Sequence, residues 1–274
     1  MDSIAFSKMS GCGNDFVIID NRNGLVDESN LVAFVTGICR RRMSVGADGV
    51  ILIEDSPTAD FAWRFFNADG SRAEMCGNGA RCAARFALMN GIAGARMSFE
   101  TDVGRVHAQV EGRSVKVKMT DPHGFRRDVP VALSAGEIRV GFIDTGVPHA
   151  VAVVADLEAV DVLATGREIR RHAAFGPSGT NADFIRREPA GGIAIRTYER
   201  GVEGETLACG TGAVAGALVA ADRLGLESPV PVRTRSGEVI TVFFRQTEGG
   251  FGDVHQQGSA RLIYTGALRD EAWR

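Results

Sequence analysis

The chain has 274 residues, enough for one large domain or two of ordinary size. Its 45% hydrophobic and 24% charged residues are globular values, which exclude a disordered or fibrous protein. The net charge of −3 argues against a nucleic-acid or anionic-membrane partner. The sequence contains no uninterrupted apolar stretch of about 18 residues, so it predicts no transmembrane helix. The N-terminus lacks the pattern of a secretory signal, so we expect a cytoplasmic protein whose five cysteines are reduced.

In the first half of the chain, short runs rich in β-branched and aromatic residues predict strands. These are Ile4–Met9, Asp15–Asp20, Gly49–Glu54, Phe61–Asn67, Met97–Thr101 and Ser114–Met119. Helical spacing predicts a helix over Leu31–Arg42, whose basic end suits a helix C-terminus. A second, Ala-rich helix is predicted over Gly79–Asn90.

The second half of the chain shows the same mixture of strand patterns and one Ala-rich helix. The predicted strands are Ile138–Asp144, Ala150–Val154, Ala182–Arg186, Ile193–Tyr198, Val230–Thr234 and Val239–Phe244. The helix is predicted over Gly212–Leu224. Both Ala-rich helices are almost unbroken by polar residues, so we expect them to be buried on most sides.

An internal repeat relates the two halves. CGNGARCAARFA begins at Cys76 and CGTGAVAGALVA at Cys209, 133 positions later, and three other sequence pairs keep this offset. The fold class expected is α/β (α+β), with two similar halves related by a pseudo-twofold and each forming a strand-rich, barrel-like layer around a central helix. We expect the halves to span 1–120 and 121–264, with 265–274 returning to the first half as a strand. The boundary lies near Asp121–Pro130, where Pro, Gly and charge interrupt the apolar pattern.

Cys76 and Cys209 each stand immediately before Gly-x-Gly-Ala and a predicted helix. Free N–H groups and the helix dipole at such a position stabilise negative charge, so they are expected to lower a thiol pKa and to bind an anionic group. If the pseudo-twofold brings both helix starts together, a thiolate and a thiol on opposite faces of one carbon can invert a stereocentre. The other three cysteines have no counterpart in the repeat and are interpreted as packing residues: Cys12, Cys39 and Cys82.

Several motifs resemble, in their expected order, those of the diaminopimelate epimerase family. They are FSKMSGCGNDFVIID, FFNADGSRAEMCGNGARC, GVPHAV, GTNADFI and YERGVEGETLACGTGAVA. The resemblance implies a cofactor-independent two-cysteine epimerase that interconverts LL- and meso-diaminopimelate, without a metal and with its active site between two similar halves. A homodimer is compatible with the resemblance.

The same resemblance assigns the site residues. It implies that Cys76 and Cys209 are the base and acid, assisted by His149 and Glu199. The residues implied to hold the substrate are Asn14, Asn67, Gly77, Asn78, Asn181, Glu199, Arg200, Gly210 and Thr211. Two positions depart from the pattern: Val147 stands where many relatives have Asn, and Gly49 where some have a substrate-binding Gln.

Three other functions stay open at this level. A racemase or epimerase of another amino acid would keep both cysteines and change the distal pocket. A dinucleotide-binding protein is suggested by Gly-x-Gly-x-x-Ala from Gly210, although Glu203–Cys209 is a poor parallel strand. An amino-acid-binding module could use the helix starts to capture a carboxylate, but it would not explain two matched cysteines.

Overall fold

The computed structural model describes residues 3–73 and 75–274, which contain eighteen strands and four α-helices. The strands are β1 (Ile4–Gly11), β2 (Asn14–Asp20), β3 (Gly49–Glu54), β4 (Phe61–Asn67), β5 (Arg72–Ala73), β6 (Arg96–Thr101), β7 (Gly104–Glu111), β8 (Ser114–Lys118), β9 (His123–Leu133), β10 (Gly136–Asp144), β11 (Pro148–Val153), β12 (Asn181–Arg187), β13 (Ile193–Glu199), β14 (Gly204–Thr206), β15 (Val230–Arg233), β16 (Val239–Thr247), β17 (Gly250–Ser259) and β18 (Arg261–Leu268). The helices are α1 (Leu31–Cys39), α2 (Gly77–Met89), α3 (Val162–Arg170) and α4 (Gly210–Leu224). None of the helices in this described part is long and apolar enough to cross a membrane.

Contacts between α-carbons divide the chain into two units. Unit 1 comprises Met1–Val117 and Gly258–Arg274, and unit 2 comprises Lys118–Gln257. In unit 1, β1 pairs antiparallel with both β18 and β2, and β2 is parallel to β3. Next, β3 pairs antiparallel with β4, and β4 is parallel to β6. Helix α2 packs against β1, β2, β3 and β7, so the strands surround it.

Unit 2 repeats this arrangement. Strand β11 is parallel to β12, β12 is antiparallel to β13, and β13 is parallel to β15. Helix α4 packs against β10, β11, β12, β13, β15 and β16, and most of its side chains are buried. Since α2 begins at Gly77 and α4 at Gly210, the helices keep the offset of the sequence repeat. The predicted fold class, two strand-rich repeats each around a helix, is confirmed.

Some element boundaries differ from the sequence predictions. Helix α1 ends at Cys39, because Arg40 is extended and Arg42 has a φ of 69°, so the basic residues lie beyond the helix. Asp121–Pro130, expected to interrupt the pattern, lies largely in β9, where Val129 and Val131 are buried against β10. The α2 and α4 helices each begin two residues earlier than predicted.

The strand registers gather polar residues at one edge of each unit. In unit 1, Gly49 at the start of β3 pairs with Asn67 at the end of β4 and lies beside the start of β2. In unit 2, His149 lies beside Asn181, and the next residue of β12 pairs with Tyr198 near the end of β13. Each edge therefore presents the starts of two parallel strands and the end of a third.

Candidate active site

Cys76 caps the N-terminus of α2. Its backbone is extended, with φ −146° and ψ 116°, and its Sγ accepts a hydrogen bond from the Gly79 N–H at 3.4 Å. The first N–H groups of a helix have no partner within the helix, so those of Gly77 and Asn78 suit an anionic ligand. The thiol is therefore held beside backbone N–H groups that can bind an anion.

Cys209 caps α4 in the same way. Its Sγ accepts from the Gly212 N–H at 3.4 Å, with φ −115° and ψ 118°. Here the first helical residues are Gly210 and Thr211. A Cβ at Gly212 would lie 2.7 Å from Asp183 Oδ1, so a larger residue at this position would collide with the Asp183 carboxylate.

The side-chain amide of Asn14 contacts Cys76. Asn14 Oδ1 accepts from the Cys76 thiol at 3.5 Å and from Asn78 Nδ2 at 3.4 Å. Asp48 Oδ2 accepts from Asn14 Nδ2 at 2.7 Å. Because a carboxylate only accepts hydrogen bonds, this contact turns the Asn14 oxygen toward the cysteine.

A buried cation supports the same helix start. Arg81 is fully buried, and its guanidinium donates to Asn78 Oδ1 at 2.6 Å and to the Gly77 carbonyl oxygen at 3.4 Å. Its positive charge therefore adds to that of the helix dipole near the anion site.

A different polar chain adjoins Cys209. The Cys209 sulfur lies 3.4 Å from Thr211 Oγ1, and His149 Nε2 lies 3.0 Å from the same oxygen. His149 Nδ1 lies 2.7 Å from Asp183 Oδ2, and both of these side chains are fully buried. The structure thus links Cys209, Thr211 and His149, three of the residues that the resemblance assigned to the site.

The expected lowering of the thiol pKa is wrong for Cys209. Burial raises the pKa of this thiol well above its ordinary value, and the nearby carboxylates of Glu199 and Asp183 raise it further. The hydrogen bonds from Thr211 and Gly212 oppose this shift but are outweighed. Burial likewise raises the pKa of Glu199. The Cys209 thiol is therefore neutral at neutral pH.

The remaining polar residues of unit 2 lie around Asn181. Its Oδ1 accepts from the Arg200 backbone N–H at 2.7 Å, and its Nδ2 donates to the Pro148 carbonyl oxygen at 3.1 Å. This holds the end of β13, where Glu199 is the last residue and Arg200 follows it, against the start of β11. Within residues 3–73 and 75–274, the Arg200 guanidinium makes one long hydrogen bond, 3.4 Å to the Ser178 carbonyl oxygen, so most of its donors are available to a ligand.

Asn67 and the two departures from the family pattern lie at the margins of these clusters. Asn67 is exposed and donates to Ser71 Oγ at 3.0 Å, and within the described residues no hydrogen bond joins it to Asn14 or Cys76. A Cβ at Gly49 would lie 2.5 Å from the Phe66 carbonyl oxygen, so a larger residue here requires the backbone to move. Val147 lies in the turn before β11 and offers no side-chain hydrogen bond.

The other cysteines lie in packed surroundings. Burial raises the pKa of Cys39 and of Cys82 to about 12, and Cys12 is 1% exposed. Across residues 3–73 and 75–274, no group of three His, Cys, Asp or Glu side chains is placed to hold a metal ion. The strand before α4, β14, has three residues and pairs antiparallel with β13, which is the wrong context for a dinucleotide-binding motif.

Sequence reasoning missed Asp48, Asp183 and Arg81, each of which contacts a predicted site residue. It also missed Thr197, whose hydroxyl donates to Asp183 Oδ1 at 2.7 Å. The signal for Asp183 was present, because a charged residue stands between Ala182 and Phe184 in a predicted strand. Arg81 likewise interrupts an Ala-rich helix predicted to be buried.

The fold is shared with solved structures of low sequence identity. A PhzF-family phenazine biosynthesis protein from Bacillus anthracis superposes with a TM-score of 0.79 at 15% identity, over 98% of this chain and all of that one. A probable proline racemase from Agrobacterium radiobacter K84 gives 0.72 at 17% identity, over 97% and 93%. The architecture is therefore that of the class to which PhzF-like and proline-racemase-like proteins belong.

Sequence comparison narrows this class to one family. The diaminopimelate epimerase family model matches residues 6–124 and 141–262. The diaminopimelate epimerase of Aquifex aeolicus is 46% identical over 97% of this chain and 98% of its own length, and that of Chlorobaculum tepidum is 44% identical over 95% and 99%. The chain belongs to the diaminopimelate epimerase family.

The raised thiol pKa values predict slow alkylation of the folded protein. In neutral iodoacetamide, Cys39, Cys82 and Cys209 should react at least about 10-fold more slowly than in urea, because the thiolate is the reactive form. Peptide mapping by mass spectrometry measures each rate. In the folded protein the pKa of each of these three thiols lies above that of a free thiol. Their labelling should therefore increase only as the pH rises beyond about 8.5. Labelling of Cys209 at the rate of the unfolded chain would contradict this account.

Proposed function

We propose that this chain interconverts LL- and meso-diaminopimelate by direct proton transfer between its α-carbon and two cysteines. Family membership makes it an isomerase of the racemase and epimerase class. The observation that carries the mechanism is the repeated cap: Cys76 and Cys209 hold the same position at the starts of equivalent helices.

In the proposed reaction, Cys76 and Cys209 act on opposite faces of one α-carbon. One cysteine, as thiolate, removes the α-proton, and the other, as thiol, delivers a proton to the other face. The roles are exchanged in the reverse direction. Atoms and charge balance without an oxidant, reductant or cofactor, because one proton enters as another leaves.

The helix starts supply stabilisation of the carbanion. An amino-acid α-proton is a very weak acid, and its removal moves negative charge onto the carboxylate. We propose that this carboxylate binds the first N–H groups of α2 and α4. These belong to Gly77, Asn78, Gly210 and Thr211. Preorganised donors of this kind stabilise developing charge more in the transition state than in the bound substrate.

The distal end of diaminopimelate carries a second ammonium and a second carboxylate. Arg200 can donate two hydrogen bonds from its guanidinium to the carboxylate, and Asn and Glu oxygens can accept from the ammonium. We assign the distal contacts to Asn14, Asn67, Asn181, Glu199 and Arg200. A pocket with these groups favours diaminopimelate over an amino acid whose side chain is apolar.

His149 and Glu199 are proposed to assist the thiols. His149 is linked to Cys209 through Thr211, whose Oγ1 lies 3.0 Å from His149 Nε2 and 3.4 Å from the Cys209 sulfur. Burial raises the pKa of Glu199, so its carboxyl accepts a proton more readily than that of an exposed glutamate.

We also propose a cytoplasmic location, because reduced thiols persist there. A homodimer is proposed on the family resemblance alone.

The purified chain should epimerise LL-diaminopimelate with no added cofactor. In deuterated water the meso product should carry deuterium at the inverted carbon, as measured by NMR and chiral chromatography. Cys76→Ala or Cys209→Ala should each abolish inversion, because one face then has no proton donor or acceptor.

Cys82→Ala is the matched control, with turnover expected within a few-fold of wild type if the protein folds. Inversion by a folded Cys209→Ala variant would contradict the two-thiol mechanism. If wild type racemises another amino acid but not diaminopimelate, the substrate assignment is wrong and the chemistry stands.

Arg200→Lys tests distal recognition. The ammonium of lysine cannot reproduce the guanidinium fork, so KM for diaminopimelate should rise by about 10-fold or more. Arg171→Lys, at a side chain 68% exposed, should leave KM unchanged and serves as control. An unchanged KM for Arg200→Lys would mean that other residues hold the distal carboxylate.

A further inference from the structure

Asp183 is a buried carboxylate in the middle of β12, between Ala182 and Phe184. Its Oδ2 lies 2.7 Å from His149 Nδ1, and its Oδ1 accepts from the Thr197 hydroxyl at 2.7 Å. Burying a charge is costly unless it is paired and hydrogen-bonded, and both oxygens of Asp183 are satisfied. This costly arrangement is explained if the carboxylate fixes the state of the His149 ring.

The carboxylate decides which nitrogen of His149 carries the proton. Because an ionised Asp183 only accepts hydrogen bonds, Nδ1 is the protonated nitrogen, and Nε2 of the neutral ring has a free lone pair. Nε2 then accepts from Thr211 Oγ1 at 3.0 Å, with Asn181 Nδ2 as a second, longer donor at 3.4 Å. The Thr211 oxygen can in turn accept from the Cys209 thiol at 3.4 Å. With this tautomer, and with the Cys209 thiol as the donor to Thr211, both hydrogen bonds of the chain run from Cys209 toward His149.

We propose that Asp183 is a positioning residue, which holds His149 in this tautomer so that His149 takes the Cys209 proton through the Thr211 hydroxyl. The inference rests on the proposed function. The thiol proton passes to Thr211 Oγ1 while the Thr211 proton passes to His149 Nε2. The products are a Cys209 thiolate and an imidazolium paired with the Asp183 carboxylate, so the total charge does not change.

Two further features support this role. The Cys209 thiol is neutral because of its burial, so it needs a proton acceptor before it can act as a base. The Asp183 carboxylate also lies against the first turn of α4, 2.7 Å from where a Cβ of Gly212 would be, and the positive end of the helix stabilises its charge. Glu199 is the other carboxyl near His149 and Cys209, and the relay geometry does not use it.

The tautomer is measured directly on wild-type protein. In ¹⁵N–¹H NMR, His149 should show a protonated Nδ1 and an unprotonated Nε2, with its signals identified by their loss in His149→Gln. This measurement needs no activity and no folded Asp183 variant. A protonated Nε2 in the neutral ring would overturn the proposal, whatever the enzyme's substrate.

Asp183→Asn tests the consequence for catalysis. Without its carboxylate partner, the imidazolium loses its counter-charge, so kcat should fall by about 10²-fold or more while KM changes little. Exchange of the α-proton with solvent should fall mainly for the epimer that Cys209 deprotonates, and much less for the other. A residue of merely structural importance would slow both equally.

The matched control is Asp161→Asn, since Asp161 caps α3 and asparagine is an equally good cap. It should leave both exchange rates unchanged. Equal loss with both epimers, or full activity of Asp183→Asn, would overturn the relay. If wild type itself shows no epimerisation, the proposed function fails, and the NMR result still decides the tautomer.

Discussion

The structure depends on one hydrogen bond made twice: a cysteine sulfur accepts from the N–H three residues later, at the start of a buried helix. Cys76 and Gly79 make it in unit 1, and Cys209 and Gly212 in unit 2, each at 3.4 Å. Sulfur is a weak acceptor, so this cap contributes less to helix stability than Ser, Thr or Asp would. The stability of each helix therefore comes mainly from its packing against the surrounding strands.

The two caps are alike in geometry and unlike in their surroundings. Cys76 is half-buried beside amides, with the cation Arg81 holding Asn78. Cys209 is buried beside a threonine, a histidine and carboxylates, and the pKa of its thiol is raised. The repeat therefore keeps the cysteine at the same position in the two units, while the polar groups around its thiol differ. In the proposed reaction the two thiols act on different faces of one carbon, and this difference in surroundings gives each thiol its own control of the proton.

The sequence was informative where a feature is local or repeated. Gly49–Glu54 and Phe61–Asn67 were predicted with the observed bounds, because their runs of apolar β-branched and aromatic residues are bracketed by turn residues. Strand β7 and helix α3 were missed, because polar side chains dilute their apolar pattern. The pairing of Asp183 with His149 joins residues 34 positions apart, and only the parallel register of β11 and β12 creates it. The pKa of Cys209 was mispredicted for the same reason, since burial is a property of the folded chain.

The most direct test of the two-thiol account is exchange of the substrate α-proton with solvent. It is measured separately with each epimer in two variants, each lacking one of the two cysteines. Cys76→Ala and Cys209→Ala, each unable to invert, should be incubated in deuterated water with LL- and with meso-diaminopimelate, and α-deuteration followed by NMR. The account predicts that each variant exchanges the α-proton of one epimer and not the other, with opposite preferences for the two variants. Exchange of both epimers by one variant, or the same preference in both variants, would contradict it.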